Sequence, residues 1–300
     1  MLSIRKAYTK ACSQSDDVHS MTDDERQKLQ AHLRKMYKDV EAVCDRHGLR
    51  FVAAFGSVLG ALRHQGFIPW DDDMDILMPR ADFNELVNKY ADELPPQYRI
   101  YAPNTKNGPL TTCFGKVVDT STRIISLGSS DDPKLGIFLD IFILENCPTN
   151  RLVRKIRQVK QNFFLLAATC TIGVECDTER NRKLMTSTPE LESLYKKRRF
   201  IGKLFSFRSA KAWANSFDKA AQYKKETGYL CYPCGGPKER HHAPYPVEKF
   251  FPAKKMKFDD IEVYVPADPE WHCTISYGDW TRIPPVDQRD EHFIEEIRFN

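Results

Sequence analysis

The spacing of apolar residues changes several times along residues 21–148, which predicts a mixture of helices and strands. Apolar residues recur at helical spacing between Leu29 and Val43, so this segment predicts one long amphipathic helix. Thr22 with Glu25 forms a capping-box sequence that starts the helix, and Gly48 marks its end. Short apolar runs predict strands, at 51–55, 76–78, 111–118, 123–127 and 136–144. We therefore predict an α/β (α+β) fold with a mixed sheet flanked by helices.

The remaining parts of the chain differ from this region in pattern. Residues 1–20 are polar and predict a flexible N-terminus, whereas 149–230 are helical in pattern and rich in basic residues. Within the second region, RLVRKIRQVK and YKKRRFIGKLF mix cations with apolar side chains. Such stretches suit an anionic membrane surface or a phosphorylated glycan, and they also suit ordinary solvated helix faces. Residues 231–300 predict a C-terminal segment that packs on the 21–148 core.

Composition limits the classes of function. The 300 residues include 45 basic and 41 acidic side chains, a net charge of +4, which is too balanced to predict a nucleic-acid partner. The mean hydropathy of −0.52 predicts a soluble chain, and the N-terminus lacks the apolar core of a signal peptide. We therefore expect a cytoplasmic protein, with peripheral contact to the inner face of the cytoplasmic membrane as a further hypothesis.

Four acids stand within five positions, at Asp71, Asp72, Asp73 and Asp75, between two apolar segments. Buried carboxylates repel one another and are costly to desolvate, so apolar flanks on both sides favour a bound cation. Residues two apart in a strand project on the same side, so Asp73 and Asp75 are able to bind one ion together. Oxygen ligands suit Mg²⁺ or Mn²⁺. The alternative is an acidic turn or a helix N-cap.

Other chemistry-bearing residues lie near this cluster in the predicted fold. Gly56 and Ser57 precede a helical stretch, where glycine lets the backbone approach a phosphate and the helix start offers free N–H groups. Lys116 interrupts an apolar run, which predicts either a phosphate contact or a lysine that reaches solvent at a strand edge. Asp140 is the one charge in GIFLDIFIL and needs a partner. That partner is either a metal or a cation such as Lys116 or Arg63.

These motifs carry a resemblance. The order Gly-Ser, helix, Asp-x-Asp resembles the nucleotidyltransferase superfamily, and GSVLGALRHQGFIPWDDDMDI resembles the LicD family of phosphocholine transferases, which is related to fukutin-type transferases. A second similar stretch is YGDWTRIPP, followed by Arg289 and His292. The resemblance runs from about residue 25 onward and is loose between 150 and 245. It implies a nucleotidyltransferase-like core over 21–148.

The resemblance also implies roles for residues. Asp140 would join Asp73 and Asp75 as catalytic and metal-binding acids, with Mg²⁺ or Mn²⁺ as cofactor. The donor phosphates would be bound by Gly56, Ser57, Arg63 and Lys116. The candidates for contact with choline or another part of the substrate are Phe67, Trp70, Asp71, Asp72, Tyr277, Trp280 and His292.

The implied activity is transfer of phosphocholine, or a similar phospho-alcohol, from CDP-choline or a related CDP-alcohol with release of CMP. The acceptor would be a hydroxyl of a cell-surface glycan (lipopolysaccharide, teichoic acid or capsule), which is lipid-linked in one version of the hypothesis. Two alternatives within enzymes are nucleotidyl transfer from an NTP and transfer from CDP-ribitol. A glycan- or nucleotide-binding module is the non-enzymatic alternative.

A separate motif raises the question of zinc. Cys231 and Cys234 are followed closely by His241 and His242. Structural zinc sites usually show a clearer second ligand pair at a set spacing. Adjacent histidines are more often a surface feature or a substrate contact, so the motif leaves zinc binding open.

Overall fold

The computed structural model describes residues 2–110, 112–126, 135–235, 243–289 and 293–299. Helices and strands alternate through its first half, whereas one long segment is helical throughout. The helices are α1 (Leu2–Ser13), α2 (Asp23–His47), α3 (Phe55–His64), α4 (Arg80–Glu85), α5 (Arg151–Glu175), α6 (Glu179–Met185), α7 (Pro189–Phe205), α8 (Ala210–Ala221) and α9 (Pro269–Tyr277). This arrangement confirms the predicted mixture of helices with a mixed sheet.

The strands form a central sheet and two smaller ones. They are β1 (His19–Ser20), β2 (Val52–Ala53), β3 (Asp75–Pro79), β4 (Tyr98–Tyr101), β5 (Gly115–Asp119), β6 (Arg123–Ser126), β7 (Phe138–Asn146), β8 (Tyr229–Cys231), β9 (Tyr245–Pro246), β10 (Lys254–Phe258), β11 (Ile261–Val265) and β12 (Phe293–Arg298). The central order is β2-β3-β7-β5-β4, and β8 joins β7 to β9. The β3–β7 pair is parallel and its neighbours are antiparallel. A second sheet has the order β1-β12-β6, and β10 with β11 forms a hairpin.

Helix α2 confirms the capping prediction in detail. The Thr22 side chain accepts a hydrogen bond from the Glu25 N–H, and the Glu25 carboxylate accepts one from the Thr22 N–H. Gly48 ends the helix at φ 65°, a left-handed conformation that favours glycine. The apolar stripe predicted from the sequence is buried, and it comprises Leu29, Leu33, Met36, Val40 and Val43.

The two faces of the central sheet carry different side chains. Because successive side chains of a strand point to opposite faces, Leu139 and Ile141 of β7 pack into the main core with α2. Leu144 packs on the other face, in a second core that includes Tyr245 and Phe250. Asp140 and Leu144 are an even number of positions apart on β7, so their side chains point to the same face. A charged residue therefore lies on this second face.

The basic helical region packs mainly on itself. Helix α5 contacts α7 and α8, and a buried ion pair connects α8 to α4 through Arg80 and Asp218. Asn104, which follows β4, also donates to Asp218. Within the described residues, none of the helices combines the length and the apolar composition that crossing a bilayer requires.

The N-terminus differs from its prediction. Where the sequence predicted a loose polar segment, the structure has helix α1. Ala11, Cys12 and Val18 are buried against residues of α6, α7 and β12. The helical region and the C-terminal strand supply this apolar surface, and both are too distant in sequence for a local pattern to indicate it.

Candidate active site

Three charged residues form a row across neighbouring strands of the second sheet face. The parallel β3–β7 register places Asp75 opposite Asp140. The antiparallel β7–β5 register places Asp140 opposite Lys116. Side chains that lie opposite one another on paired strands project on the same face. The pairing of the backbone therefore brings together three residues that are up to 65 positions apart in sequence.

Lys116 binds Asp140 directly. Its Nζ lies 2.5 Å from Asp140 Oδ1, and both residues are buried. The same ammonium lies 3.4 Å from the centre of the Phe138 ring and 5.2 Å from that of Phe114, a cation–π arrangement. This is the salt-bridge alternative that the sequence left open for Asp140, and it excludes the solvent-reaching alternative for Lys116.

The acid loop, residues Asp71 to Asp73, precedes β3. Each of its three carboxylates offers an oxygen within 4.8 Å of the other two, and all three residues are partly buried. In the described part of the chain, this is the group of acids spaced closely enough to share one ion. The spacing differs from the set predicted from the sequence (Asp73, Asp75 and Asp140), whose role as joint ligands stays a prediction.

Asp75 connects the acid loop to the charged row. Burial raises the pKa of the Asp75 carboxyl well above its usual range, and the charges of Asp73, Asp140 and Asp71 raise it further. Lys116 acts in the opposite direction. Crowded carboxylates of this kind favour a cation, and carboxylate oxygens are the donors that Mg²⁺ and Mn²⁺ prefer.

Gly56 and Ser57 hold the acidic segment in place. They lie in the first turn of α3, because this helix begins at Phe55 and not after the Gly-Ser pair as predicted. A Cβ added to Gly56 would stand 2.6 Å from Asp71 Oδ2, so only glycine lets that carboxylate approach. The buried Ser57 Oγ accepts a hydrogen bond from the Asp75 N–H at 3.0 Å. The phosphate contacts predicted for both residues stay a prediction.

Arg63 ties helix α3 to the C-terminal segment. Its guanidinium donates to the carbonyl oxygens of Trp280, at 2.8 Å, and Arg282, at 3.3 Å. It also donates to His64 Nε2 at 2.9 Å. The predicted phosphate contact of Arg63 is not tested by these bonds, but they give the residue a structural function in closing the C-terminal segment over α3.

The predicted substrate-binding aromatics come together only in part. Trp70 and Trp280 pack on one small cluster between α3 and α9, and the Arg289 guanidinium lies 4.0 Å from the centre of the Trp70 ring. Tyr277 is 44% exposed as a residue. Desolvation of its hydroxyl, and then the charges of Asp71 and Asp75, raise its pKa.

Phe67 does not belong to this group. Its ring is buried against Phe258, with centroids 4.8 Å apart, so the expectation that it contacts choline was wrong. The apolar residues Phe67 and Ile68 are core residues that anchor the start of the acid loop. His292 lies outside the described residues.

Two supporting residues carried no signal in the sequence. Gln30 of α2 donates from Nε2 to the Asp71 carbonyl oxygen at 2.8 Å. His272 of α9 is fully buried, and its Nε2 accepts the Phe55 N–H at 3.1 Å, at the start of α3. Burial lowers the pKa of His272 to about 4, so the ring is neutral near pH 7. Both contacts span long sequence separations, which a local pattern cannot reveal.

The cysteines of the possible zinc motif have separate partners. Cys231 forms a thiol hydrogen bond with Cys147, which raises the pKa of Cys231 and lowers that of Cys147. The Cys234 Sγ contacts the Cys113 carbonyl oxygen at 3.1 Å. His241 and His242 lie outside the described residues. Among the residues that are described, Cys231 and Cys234 belong to no group of three side chains spaced closely enough to share one metal ion.

Comparisons with known proteins agree with the sequence motifs. Residues 48–105 match the family model described as the LicD/FKTN/FKRP nucleotidyltransferase domain. The chain is 25% identical over 261 residues to the lipopolysaccharide cholinephosphotransferase LicD of Haemophilus influenzae, which covers 85% of this chain and 91% of that protein. Uncharacterised proteins of Rickettsia prowazekii and Rickettsia typhi are 41% and 38% identical over 50 residues, 17% of this chain and 19% and 16% of theirs. The resemblance to the LicD family is confirmed.

Proposed function

We propose that the chain is a metal-dependent phosphotransferase that moves phosphocholine, or a similar phospho-alcohol, from a CDP-activated donor to a hydroxyl of a cell-surface glycan. CMP is the second product. The observation that carries this proposal is that Asp75, Asp140 and Lys116 share one face of the sheet, while the charges of the acid loop act on Asp75. The similarity to a lipopolysaccharide cholinephosphotransferase over most of the chain supports phosphocholine as the group transferred.

The acids provide the donor atoms that a divalent cation needs. In the proposal, Asp73, Asp75 and Asp140 hold Mg²⁺ or Mn²⁺, with Asp71 and Asp72 close to Asp73. The raised pKa of Asp75 supports a cation here, because added positive charge would offset the crowding of carboxylates. When bound, the ion neutralises negative charge on the donor diphosphate and on the departing oxygen.

The protein residues orient the two reactants. An acceptor hydroxyl oxygen forms a bond to the phosphorus that carries choline, and the bond from this phosphorus to the bridging oxygen of CMP breaks. The hydroxyl proton passes to a carboxylate of the site. Lys116 is held beside Asp140 by its ion pair and by Phe138, so its positive charge lies where negative charge develops in the transition state.

The aromatic surface around Trp70 is the proposed contact for choline. Trimethylammonium groups bind over aromatic faces, and Trp70 already holds the Arg289 guanidinium in such a position. Trp280 packs on the same cluster. The pKa of the Tyr277 hydroxyl is raised by desolvation and then by the charges of Asp71 and Asp75, so this residue is the proposed neighbour of both the rings and the acids. These three residues connect the alcohol end of the donor to its phosphates.

Nucleotidyl transfer is the second candidate, because the family model that matches residues 48–105 is described as a nucleotidyltransferase domain. It would transfer an NMP group from an NTP and release pyrophosphate. The same acids and the same cation would serve this reaction. The two reactions differ in the bond that breaks, so their products separate them.

The test is a panel of CDP-choline, CDP-ribitol, other CDP-alcohols and NTPs, incubated with Mg²⁺ and with lipopolysaccharide or oligosaccharide acceptors. We expect acceptor-dependent CMP release from CDP-choline that chelation abolishes and added Mg²⁺ restores. Pyrophosphate release from an NTP would replace this proposal with nucleotidyl transfer. Binding without turnover of any donor would favour a binding module.

The matched variants are Asp73→Asn, Asp75→Asn and Asp92→Asn. Asp92 is exposed and distant in sequence from the acid loop, so its variant controls for the substitution itself. We expect the first two to abolish turnover with the fold intact and the third to retain it. Equal activity in all three would show that the acids are not the catalytic group.

A further inference from the structure

The exposed apolar surface of the molecule is concentrated in the basic helical region. Fourteen large hydrophobic residues are exposed in the described part of the chain, and nine of them lie between residues 152 and 207. A soluble surface normally scatters such residues singly, and a concentration of them marks an interaction site. We propose that α5 and the C-terminal half of α7 form a surface that docks on an anionic lipid membrane.

Helix α5 turns its bulky apolar side chains outward. Five residues repeat at intervals of four and three along one stripe, and they are Leu152, Ile156, Val159, Phe163 and Leu166. The first three are 67%, 62% and 65% exposed. The buried side of the same helix carries smaller or polar residues, including Gln161, Ala167 and Ala168. This is the reverse of a helix whose apolar stripe serves the protein core.

The apolar surface continues beyond α5. The Phe163 ring lies 5.5 Å from that of Phe205 and 6.1 Å from that of Trp213. Phe207 also contacts Trp213, at 5.5 Å, and is 73% exposed. On α7, Phe200 and Leu204 are exposed one turn apart. The surface is therefore broader than a single helical seam.

Cations border this surface and acids do not. On α5, Arg151, Lys155 and Lys160 are exposed beside the apolar stripe, and the first acid of the helix is Glu175 at its end. On α7, Lys197 and Lys203 are exposed around Phe200 and Leu204. An apolar face with basic borders is complementary to anionic headgroups over an acyl layer.

A cavity beside the first turns of α5 adds to the basic border. It measures about 360 Å³ and is lined by Arg151, Arg154, Lys155 and Arg157, among other residues. Arg157 donates to three carbonyl oxygens at the end of α8, and Arg154 to those of Pro148 and Thr149. These two side chains are fixed by the fold, so the cavity holds positive charge ready for a phosphate headgroup at the edge of the apolar stripe.

A second copy of the chain fits this face less well. Self-association through the stripe would bring Lys155 and Lys160 of each copy close to the same cations of the other, because the borders carry one sign of charge. An anionic membrane reverses this repulsion into attraction. The proposal concerns a surface distinct from the acid loop, so it holds whichever group the enzyme transfers.

The test is flotation of the full chain with vesicles of phosphatidylcholine alone and of phosphatidylcholine with 30 mol% phosphatidylglycerol. We expect binding to the anionic vesicles that falls as salt is raised. Leu152→Gln/Ile156→Gln/Val159→Gln removes apolar surface without changing charge, and we expect the partition coefficient to fall at least about tenfold. Its matched control, Val247→Gln/Ile283→Gln/Val286→Gln, changes three exposed aliphatic residues elsewhere and should bind as the unaltered chain does.

A second pair of variants tests the contribution of charge. Lys155→Gln/Lys160→Gln removes two cations from the border of the surface, and Lys28→Gln/Lys89→Gln removes the same charge from α2 and from the π-helical turn Leu86–Tyr90. We expect only the first pair to lose the preference for anionic vesicles. Absence of vesicle binding, or equal loss in the test and control variants, would overturn the proposal. Light scattering on the same samples measures the oligomeric state. If the chain is a dimer that does not bind vesicles, and Leu152→Gln/Ile156→Gln/Val159→Gln converts it to a monomer, the face would be assigned to a protein partner instead.

Discussion

Two groups of buried charges meet strand β7, and they are built in different ways. Around Asp140, the acids crowd together, and the pKa of Asp75 is raised by burial and then by three neighbouring carboxylates. Around Glu145, the Arg80 guanidinium donates to both Glu145 and Asp218. In the second group, Arg80 forms an ion pair with each of the two acids. In the first group, Lys116 offsets only part of the negative charge that acts on Asp75.

Hydrogen bonding completes the second group. Asp218 Oδ2 accepts from Asn104 at 2.8 Å and from Gln222 at 3.0 Å. The group joins β7, α4, α8 and the segment after β4, so its function is to hold the helical region on the sheet. The comparison teaches that buried charge alone does not indicate a catalytic site. Crowding of like charges that the fold does not neutralise is the more specific sign.

The largest effect should come from Asp75→Asn. We expect turnover to fall at least about a thousandfold, about 4 kcal/mol, because the residue connects the acid loop to Asp140. Without added metal the same variant should melt about 2 °C higher, because one crowded carboxylate is removed. Calorimetry and CMP release measure the two effects.

The isosteric control is Asp218→Asn in the Arg80 group. It should melt lower than the unaltered chain, because it removes a charge that Arg80 and two amides bind. If both Asp→Asn variants shift the melting temperature in the same direction, the contrast between the two groups fails.

Arg80→Met tests the same comparison by removing the cation of the Glu145 group. Removing the cation leaves Glu145 and Asp218 buried without it, and we expect a loss of about 3 kcal/mol in the free energy of unfolding. Denaturant titration measures this loss. Arg50→Met is the matched control, because Arg50 is exposed and its bond to Asp82 is a surface ion pair worth less than about 1 kcal/mol. Equal losses in both variants would show that the Arg80 group is not a structural anchor.

His272 should give a pH-dependent effect of about 2 kcal/mol. Its pKa is about 4 in the fold and about 6.5 in an unfolded chain. Between these two pH values the unfolded state binds more protons than the folded state. The contribution of the neutral His272 ring to the free energy of unfolding is therefore complete above pH 6.5 and is lost as the pH falls toward 4. We expect His272→Gln, whose amide oxygen is able to accept the Phe55 N–H, to lose about 2 kcal/mol less stability between pH 7 and pH 5. Parallel pH curves for the two proteins would contradict this.

The smallest effect concerns Gly56→Ala. The new Cβ would stand 2.6 Å from Asp71 Oδ2, so the Asp71 carboxylate must move, and we expect turnover to fall about tenfold, about 1.4 kcal/mol. Gly173→Ala is the control, because a Cβ there meets no atom within 4 Å. A Gly56→Ala enzyme with full activity would show that the position of Asp71 is not critical.

Local patterns were sufficient for several of the helices and strands. The Thr22 capping box, the α2 stripe and the strand predicted at 76–78, which the structure has at Asp75–Pro79, follow from spacing alone, because their causes lie within a few residues. The start of α3 at Phe55 did not follow, since its first N–H is accepted by His272. The Lys116–Asp140 pair required a strand register, which the sequence did not specify. The burial of Phe67 depends on Phe258, a contact nearly two hundred residues away.

The parallel pairing of β3 and β7 means that the backbone sets the distance between Asp75 and Asp140. Neighbouring strands stand about 4.8 Å apart, and hydrogen bonds along the ladder hold Asp75 and Asp140 side by side whatever their side chains become. Substitution therefore alters the charge and leaves the frame in place. A single residue inserted within either strand would turn one aspartate toward the apolar core beneath, so this sheet tolerates chemical change at these positions and not a change in length.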